Sequence, residues 1–382
     1  MDPPEKAPML RVLHGPVNIG NQPWVLSRHE RALGAKSDLV VNYSTWLDYP
    51  SDRCLGELGK KNFATMARRF LFGLSAPLRY DVLHYYFGRS FWCWDDLGGP
   101  NRWWYRDLRL ARRLGRKVFM TLQGCDVRLA GASDDRHRTT MCREGFCKAY
   151  STCRETLDRH RLELIENVLP LCDRVFVLNP DLARYAPGAT FLPYANVDVE
   201  SFQPEPPRTE GRIRIVHAPS DPNIKGTKYI LPVIERLAER FPIDFTLVQG
   251  LPHRQAMQIY READLVIDQL LPGWYGGFAV EVMAMGKPVV CYLREEDLDV
   301  VPPDMREDLP ILTATPENLE LRLVEILQQR DQWPEWSRRA RAFVLKWHNP
   351  RLIAQSMLAA YRSPDSRFEL HPQSEATRRC AA

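Results

Sequence analysis

Short uninterrupted runs of apolar residues, each closed by polar or turn residues, recur along this chain. In the first half they are Met9–His14, Asp38–Asn42, Tyr80–His84, Lys117–Leu122 and Asp173–Leu178; in the second, Arg212–His217, Ile243–Val248, Asp264–Ile267 and Pro288–Tyr292. Continuous Val/Ile/Leu runs, rather than alternation, predict parallel strands covered on both faces. Longer amphipathic stretches such as Thr227–Arg240 lie between them and predict helices. After the first strand come Gly15-Pro16-Val17-Asn18-Ile19-Gly20-Asn21, a helix starting near Pro23, where proline suits the first turn, and a stop at Leu33-Gly34. Strand, glycine loop, helix and strand open a doubly wound α/β domain, and the second half restarts the pattern.

A chain of 382 residues exceeds one ordinary core and fits two domains of about 150–200 residues. The break is expected in the proline- and charge-rich stretch 204–211. This gives an N-terminal domain over 1–203, a C-terminal domain over 212–348, a closing helix over 349–363 and a loose polar tail over 364–382. The composition, 45% hydrophobic and 26% charged, is that of a folded chain. No apolar run has the length of a signal peptide at the N-terminus or of a membrane span anywhere, and nine cysteines suit a reducing compartment, so a cytoplasmic protein is expected. A net charge of +4 does not point to nucleic acid.

In parallel α/β folds ligands gather at the carboxyl ends of the strands, which directs attention to two loops of the second half. Gly276-Gly277 open a helix whose amides and positive dipole end suit a phosphate, and Glu281, a turn further on, can accept ribose hydroxyls. Lys225, in His217-Ala218-Pro219-Ser220-Asp221-Pro222-Asn223-Ile224-Lys225-Gly226-Thr227, can set a point charge on a diphosphate. Taken singly, the glycines also fit tight αβ packing, and a lysine in a loop is more often solvated.

Together these segments resemble the retaining glycosyltransferases of family 4, over most of the chain. Lys225-Gly226 resembles the family's lysine–glycine pair. Gly277-Phe278-Ala279 with Glu281-Val282-Met283-Ala284-Met285-Gly286-Lys287-Pro288-Val289 resembles its glycine and glutamate run, and 191–204 its segment before the linker. The resemblance implies the GT-B fold, two Rossmann-like doubly wound domains facing across a cleft, and transfer of a sugar from a UDP-, GDP- or ADP-sugar with no further cofactor. It implies that Lys225 neutralises the leaving diphosphate, that Glu281 holds the ribose, and that Ser220, Gly276, Gly277 and Phe278 complete the donor site. Gly15, Asn18, Gly20 and Asn21 form the facing loop. Ser220, Gly273 and Gln123 stand where the family has an arginine, a glutamate and a histidine. These differences keep a nucleotide-binding protein without turnover as an alternative, beside a nucleotide-sugar epimerase.

On the N-terminal side, Gln123 and Asp126 are the candidate catalytic residues. Asp126 could orient an acceptor hydroxyl or take its proton, or could instead cap a helix or pair with Arg128. Cys142, Cys147 and Cys153, separated by four and five residues, lack the C-x-x-C spacing of common zinc sites, and buried thiols are the favoured reading over a metal. The surrounding stretch, 131–152, looks like an insertion near the cleft. The basic and aromatic stretch Arg102–Lys117 fits either an ordinary amphipathic helix or a peripheral contact with an anionic membrane face. The acceptor is left open.

Overall fold

The structure is a computed structural model describing residues 8–45, 48–60, 62–93, 103–251 and 253–370. Two parallel sheets carry the chain. The first runs β3-β2-β1-β4-β5-β6-β7, from β1 (Arg11–Gly15), β2 (Lys36–Val41), β3 (Arg53–Cys54), β4 (Val82–Tyr86), β5 (Lys117–Leu122), β6 (Arg174–Val177) and β7 (Thr190–Phe191). The second runs β12-β11-β10-β8-β9, from β8 (Ile213–His217), β9 (Ile243–Leu247), β10 (Leu265–Ile267), β11 (Val289–Cys291) and β12 (Leu312–Thr313). All recorded strand pairs are parallel, and β1 sits between β2 and β4 in register Val12 opposite Ser37 and Val82. In both sheets the chain winds outward from a central strand in two directions, so the order reverses there and leaves a crevice at the carboxyl ends.

The strands predicted from apolar runs are present with ends moved by one or two residues. Tyr80 is the extended cap of the helix Phe63–Arg79, and the Asp81 carboxylate binds the Arg11 amide and guanidinium, so β4 starts only at Val82. The three strands without a sequence signal, β3, β7 and β12, are two-residue edge strands, too short for periodicity to register.

The linker is pinned rather than loose. Arg208 forks onto Asp264 through Nε at 3.0 Å and Nη2 at 2.5 Å, the buried Lys287 ammonium donates to the Glu205 carbonyl at 2.6 Å, and the Glu205 amide reaches Met285 at 2.9 Å. The last helix, Pro350–Arg362, leaves the second sheet and packs on the first, beside the helix Gln22–Ala32. Its Tyr361 hydroxyl bonds His84 Nδ1 at 2.6 Å and its ring meets Phe119 edge-on at 4.9 Å. Residues 364–370, expected to be loose, also dock there: Phe368 lies edge-on to Phe176 at 5.1 Å, and Arg174 donates to the Pro364 carbonyl. Residues 1–7, Arg102 and 371–382 fall outside the described residues.

Candidate donor site and the facing cleft

Three parts of the second sheet converge at its carboxyl edge. After β8, Asp221 caps the single turn Pro222–Lys225 by accepting the Asn223 and Ile224 amides at 2.9 and 3.3 Å. Gly226 (φ 83°) then restarts the chain as the helix Thr227–Ala238. The turn aims Lys225 at the end of β10. There its ammonium donates to Asp268 Oδ1 at 3.2 Å and to Gln269 Oε1. Asp268 Oδ2 in turn accepts the Gly276 amide at 2.8 Å. Lysine, aspartate and the start of the helix Gly277–Ala284 are thus one hydrogen-bonded unit, with the Asp268 side chain 1% and that of Lys225 14% exposed. An ammonium has three donors, so with two engaged one remains for an incoming anion. A Cβ at Gly276 would stand 3.2 Å from Lys225 Nζ, so the ammonium would have to shift to admit it.

His217, at the end of β8, fixes this unit from below. Its Nδ1 donates to the Ile267 carbonyl at 2.8 Å, and Nε2 accepts from the Thr227 hydroxyl at 2.8 Å. Burial lowers its pKa to about 4, so the ring is neutral and locks β8, β10 and the helix after Lys225 together.

No side chain caps the helix Gly277–Ala284, so the first-turn amides keep their donors. Phe278 stacks edge-on against Tyr260 at 4.8 Å. Glu281 is buried, one turn along the helix, and its charge reaches Tyr49 in the loop after β2: burial and Glu281 push the Tyr49 phenol up to about 12. Asn196 completes the crossing. Its amide nitrogen donates to the Gly277 carbonyl at 3.1 Å, while its own carbonyl accepts from Asn21 Nδ2 at 3.0 Å. A Cβ on Gly277 would stand 2.8 Å from the Asn196 amide nitrogen, so it is the approach of Asn196 that demands glycine. The side-chain oxygens of Asn18, Asn21 and Asn196 are buried with no hydrogen-bond partner among the described residues. Within the glycine loop, Asn18 also donates to the Pro50 carbonyl at 2.9 Å, and Gly20 and Asn21 are both left-handed (φ 67° and 63°). Behind it, the buried His14 at the foot of Gly15 joins Tyr86 Oη and Glu30, each at 2.8 Å.

Opposite, the turn after β5 holds Gln123 and Asp126. Asp126 uses both carboxylate oxygens on backbone amides, those of Gln123 at 2.9 Å and Gly124 at 2.7 Å. Burial raises its pKa, and those two amides oppose the rise. Arg128 pairs with Asp181, at 2.6 and 3.0 Å, rather than with Asp126. Gln123 Oε1 is buried without a partner. The insertion crosses the cleft. Cys142 and Cys153 lie in an apolar cluster with Met141, Tyr150 and Leu271, against which Phe146, Cys147 and Ile224 pack, and Lys228 Nζ sits 3.7 Å over the Phe146 ring. Among the described residues no group of three His, Cys, Asp or Glu side chains is placed to hold a metal ion.

No family model and no curated protein matches the sequence. Solved structures do match. Sucrose-phosphate synthase from Thermosynechococcus elongatus shares 16% identity at a TM-score of 0.59, over 94% of this chain and 99% of that one. HepE from Anabaena, solved with UDP and glucose, shares 12% at 0.57, over 93% and 100%. A glycosyltransferase from Rickettsia africae shares 12% at 0.54, over 93% and 98%. The fold is GT-B. In this GT-B cleft Lys225, Gly276, Gly277, Phe278 and Glu281 come together, and Asn21 of the glycine loop joins them through Asn196. Ser220 is exposed and makes no hydrogen bond among the described residues. Gly273 is left-handed (φ 83°), and a side chain there would collide with Arg294 at 2.8 Å.

Asp268, Gln269, Asn196 and Arg294 were not assigned roles by the sequence reading. The first two carried a signal: adjacent polar residues directly after the apolar Leu265-Val266-Ile267, where a parallel strand delivers side chains into the crevice. Arg294 carried none. It donates to Asp297 at 2.9 Å and, across the cleft, to the Thr139 carbonyl at 2.8 Å, while Arg184 of the first domain reaches Asp297 at 2.6 Å. Among the described residues no helix is long and apolar enough to cross a membrane.

Proposed function

We propose that this protein is a retaining glycosyltransferase that moves a sugar from a nucleotide-sugar donor, a UDP-, GDP- or ADP-sugar, to an acceptor hydroxyl. The observation that carries this reading is the unit of Lys225, Asp268 and the Gly276 amide at the uncapped start of the helix holding Glu281. As the bond between sugar and phosphate loosens, negative charge grows on the departing diphosphate and positive charge on the sugar. The remaining Lys225 N–H and the first-turn amides stabilise the former in a site where they need no reorganisation. Glu281 accepts the ribose hydroxyls. On the opposite wall, Gln123 Oε1 and the unpartnered oxygens of Asn18 and Asn21 are acceptors for sugar or acceptor hydroxyls. Sharing its fold with HepE, which was solved with UDP and glucose, is in keeping with this ligand class.

A second reading, nucleotide binding without turnover, draws on Asp126. With a backbone amide on each oxygen, its carboxylate has fewer free lone pairs to offer an acceptor hydroxyl. Calorimetric titration of UDP, GDP and ADP into the wild type and into Lys225→Ala/Asp268→Asn tests the donor site. The paired change removes the lysine without stranding a buried carboxylate. Selective binding that weakens about 10- to 100-fold, the worth of a charged hydrogen bond, is the expected result. No binding to any nucleotide refutes it. Product analysis of each sugar nucleotide without acceptor separates transfer from epimerisation, since an epimerase converts the donor alone.

A further inference from the structure

The helix Phe63–Arg79 packs one face on the first sheet through Thr65, Arg69, Phe72, Gly73 and Ala76, and leaves the other to solvent. That outer face is apolar: Phe63 is 85%, Leu71 62%, Leu74 46% and Leu78 67% exposed. On a wheel advancing about 100° per residue, Phe63, Leu74, Leu78 and Leu71 fall within an arc of about 80°, with Arg68 and Arg79 on the adjacent row. Arg53 of β3 lies over the Phe72 ring at 5.7 Å and joins Leu71, Leu74 and Leu78 along a groove of about 430 Å³. Among the described residues, three arginines line this groove and no carboxylate does. Among the described residues none of the three forms an ion pair.

We infer that this helix is the surface by which the protein lies on an anionic lipid bilayer, with its leucines and Phe63 in the acyl boundary and its arginines at the headgroup phosphates. Side chains this exposed, in one stripe, find no apolar cover among the described residues, and the arginines beside them, which form no ion pair among those residues, call for an anionic partner. A second copy on a two-fold axis would place the same arginines against each other, and that repulsion argues against self-association through this face. The stretch Arg102–Lys117, the earlier candidate for such a contact, presents a different surface. Tyr105, Leu108 and Ala111 are buried in the core, Arg106 rests on Trp103 at 5.1 Å, and Arg112 pairs with Asp173 at 2.6 Å. Arg106, Arg109, Arg112 and Arg116 are each engaged, and Trp103, Trp104 and Tyr105 pack toward the core.

The test is cosedimentation of the full chain with phosphatidylcholine vesicles, with and without about a third phosphatidylglycerol, the range in which each basic residue contributes about fivefold to binding. The variants are Leu71→Gln/Leu74→Gln/Leu78→Gln and Arg53→Gln/Arg68→Gln/Arg79→Gln, checked for folding by circular dichroism and melting midpoint. Binding to anionic vesicles only, weakened at least tenfold in each triple variant and falling with added salt, is the expected result. Absence of binding to anionic vesicles overturns the inference, as does binding that either folded triple variant leaves unchanged. A wild-type dimer in sedimentation velocity that the leucine variant converts to monomer also overturns it, in favour of a second copy.

Discussion

The two walls of the cleft solve the same task by different means. The C-terminal wall gathers charge: one ammonium, one buried carboxylate and the amides of a helix start, tied into a unit by two hydrogen bonds. The N-terminal wall gathers neutral polar atoms. The Asp126 carboxylate in the turn after β5 is consumed by backbone amides, while the side-chain oxygens of Asn18, Asn21 and Gln123 have no partner among the described residues. A wall that must grip a diphosphate needs fixed positive potential. A wall that meets sugar and acceptor hydroxyls needs acceptors that leave the hydroxyl oxygen nucleophilic. On the proposed function, the contrast assigns binding of the donor to one half and positioning of the reacting groups to the other.

Removing Lys225 breaks the comparison most severely. Lys225→Ala leaves Asp268 buried and unpaired, and loss of one partner of a buried pair costs about 3–5 kcal/mol of stability. Urea unfolding should show that loss, and calorimetry the nucleotide affinity falling with it. Lys225→Ala/Asp268→Asn should restore most of the stability and none of the affinity, which separates the structural from the binding role.

Acidification comes next. His217 and His348 are buried and neutral, each lowered to about 4 by burial; His348 Nδ1 donates to the Tyr194 carbonyl at 2.8 Å and Nε2 accepts from Tyr275 at 2.9 Å. In the unfolded chain both take a proton near pH 6.5, so that state binds more protons between about pH 6.5 and 4. Their contribution is complete above pH 6.5 and declines as the pH falls toward 4. Between pH 6 and 5 the two histidines should lower stability by about 2 kcal/mol. Urea midpoints across that interval check this, and a His348→Gln variant should show the shallower slope.

Asp126→Asn probes the other wall. An amide has one oxygen for the two amides that the carboxylate serves, so the turn should lose about 1–2 kcal/mol in urea unfolding. Nucleotide affinity should stay within about twofold, as no C-terminal contact is touched. A large loss of affinity would dissolve the division between the walls. The smallest effect is expected from Glu281→Gln, which still accepts one ribose hydroxyl: about a fivefold weaker nucleotide, near 1 kcal/mol, read by calorimetry. The Tyr49 phenol, relieved of the neighbouring charge, should titrate lower in an ultraviolet pH scan.

The sequence by itself determined the architecture. Doubly wound sheets advertise themselves because strands covered on both faces must be apolar throughout, as Val118-Phe119-Met120 and Leu265-Val266-Ile267 are. It also singled out Lys225, Gly276, Gly277 and Glu281 as candidates, since a lysine before a helix and glycines at a helix start are local features written in consecutive residues. The tertiary structure decided what those residues touch. That Asp268 joins Lys225 to Gly276, that Asn196 couples Gly277 to Asn21, and that Arg294 fills the space above Gly273 and ties the insertion to the second sheet are contacts between segments tens to hundreds of residues apart. Asp126 shows the same limit at short range: its type and place suit a base, but its hydrogen bonds depend on how the turn folds back. Periodicity reports which face of an element is buried, whereas partners across a cleft are fixed only when two domains close on each other.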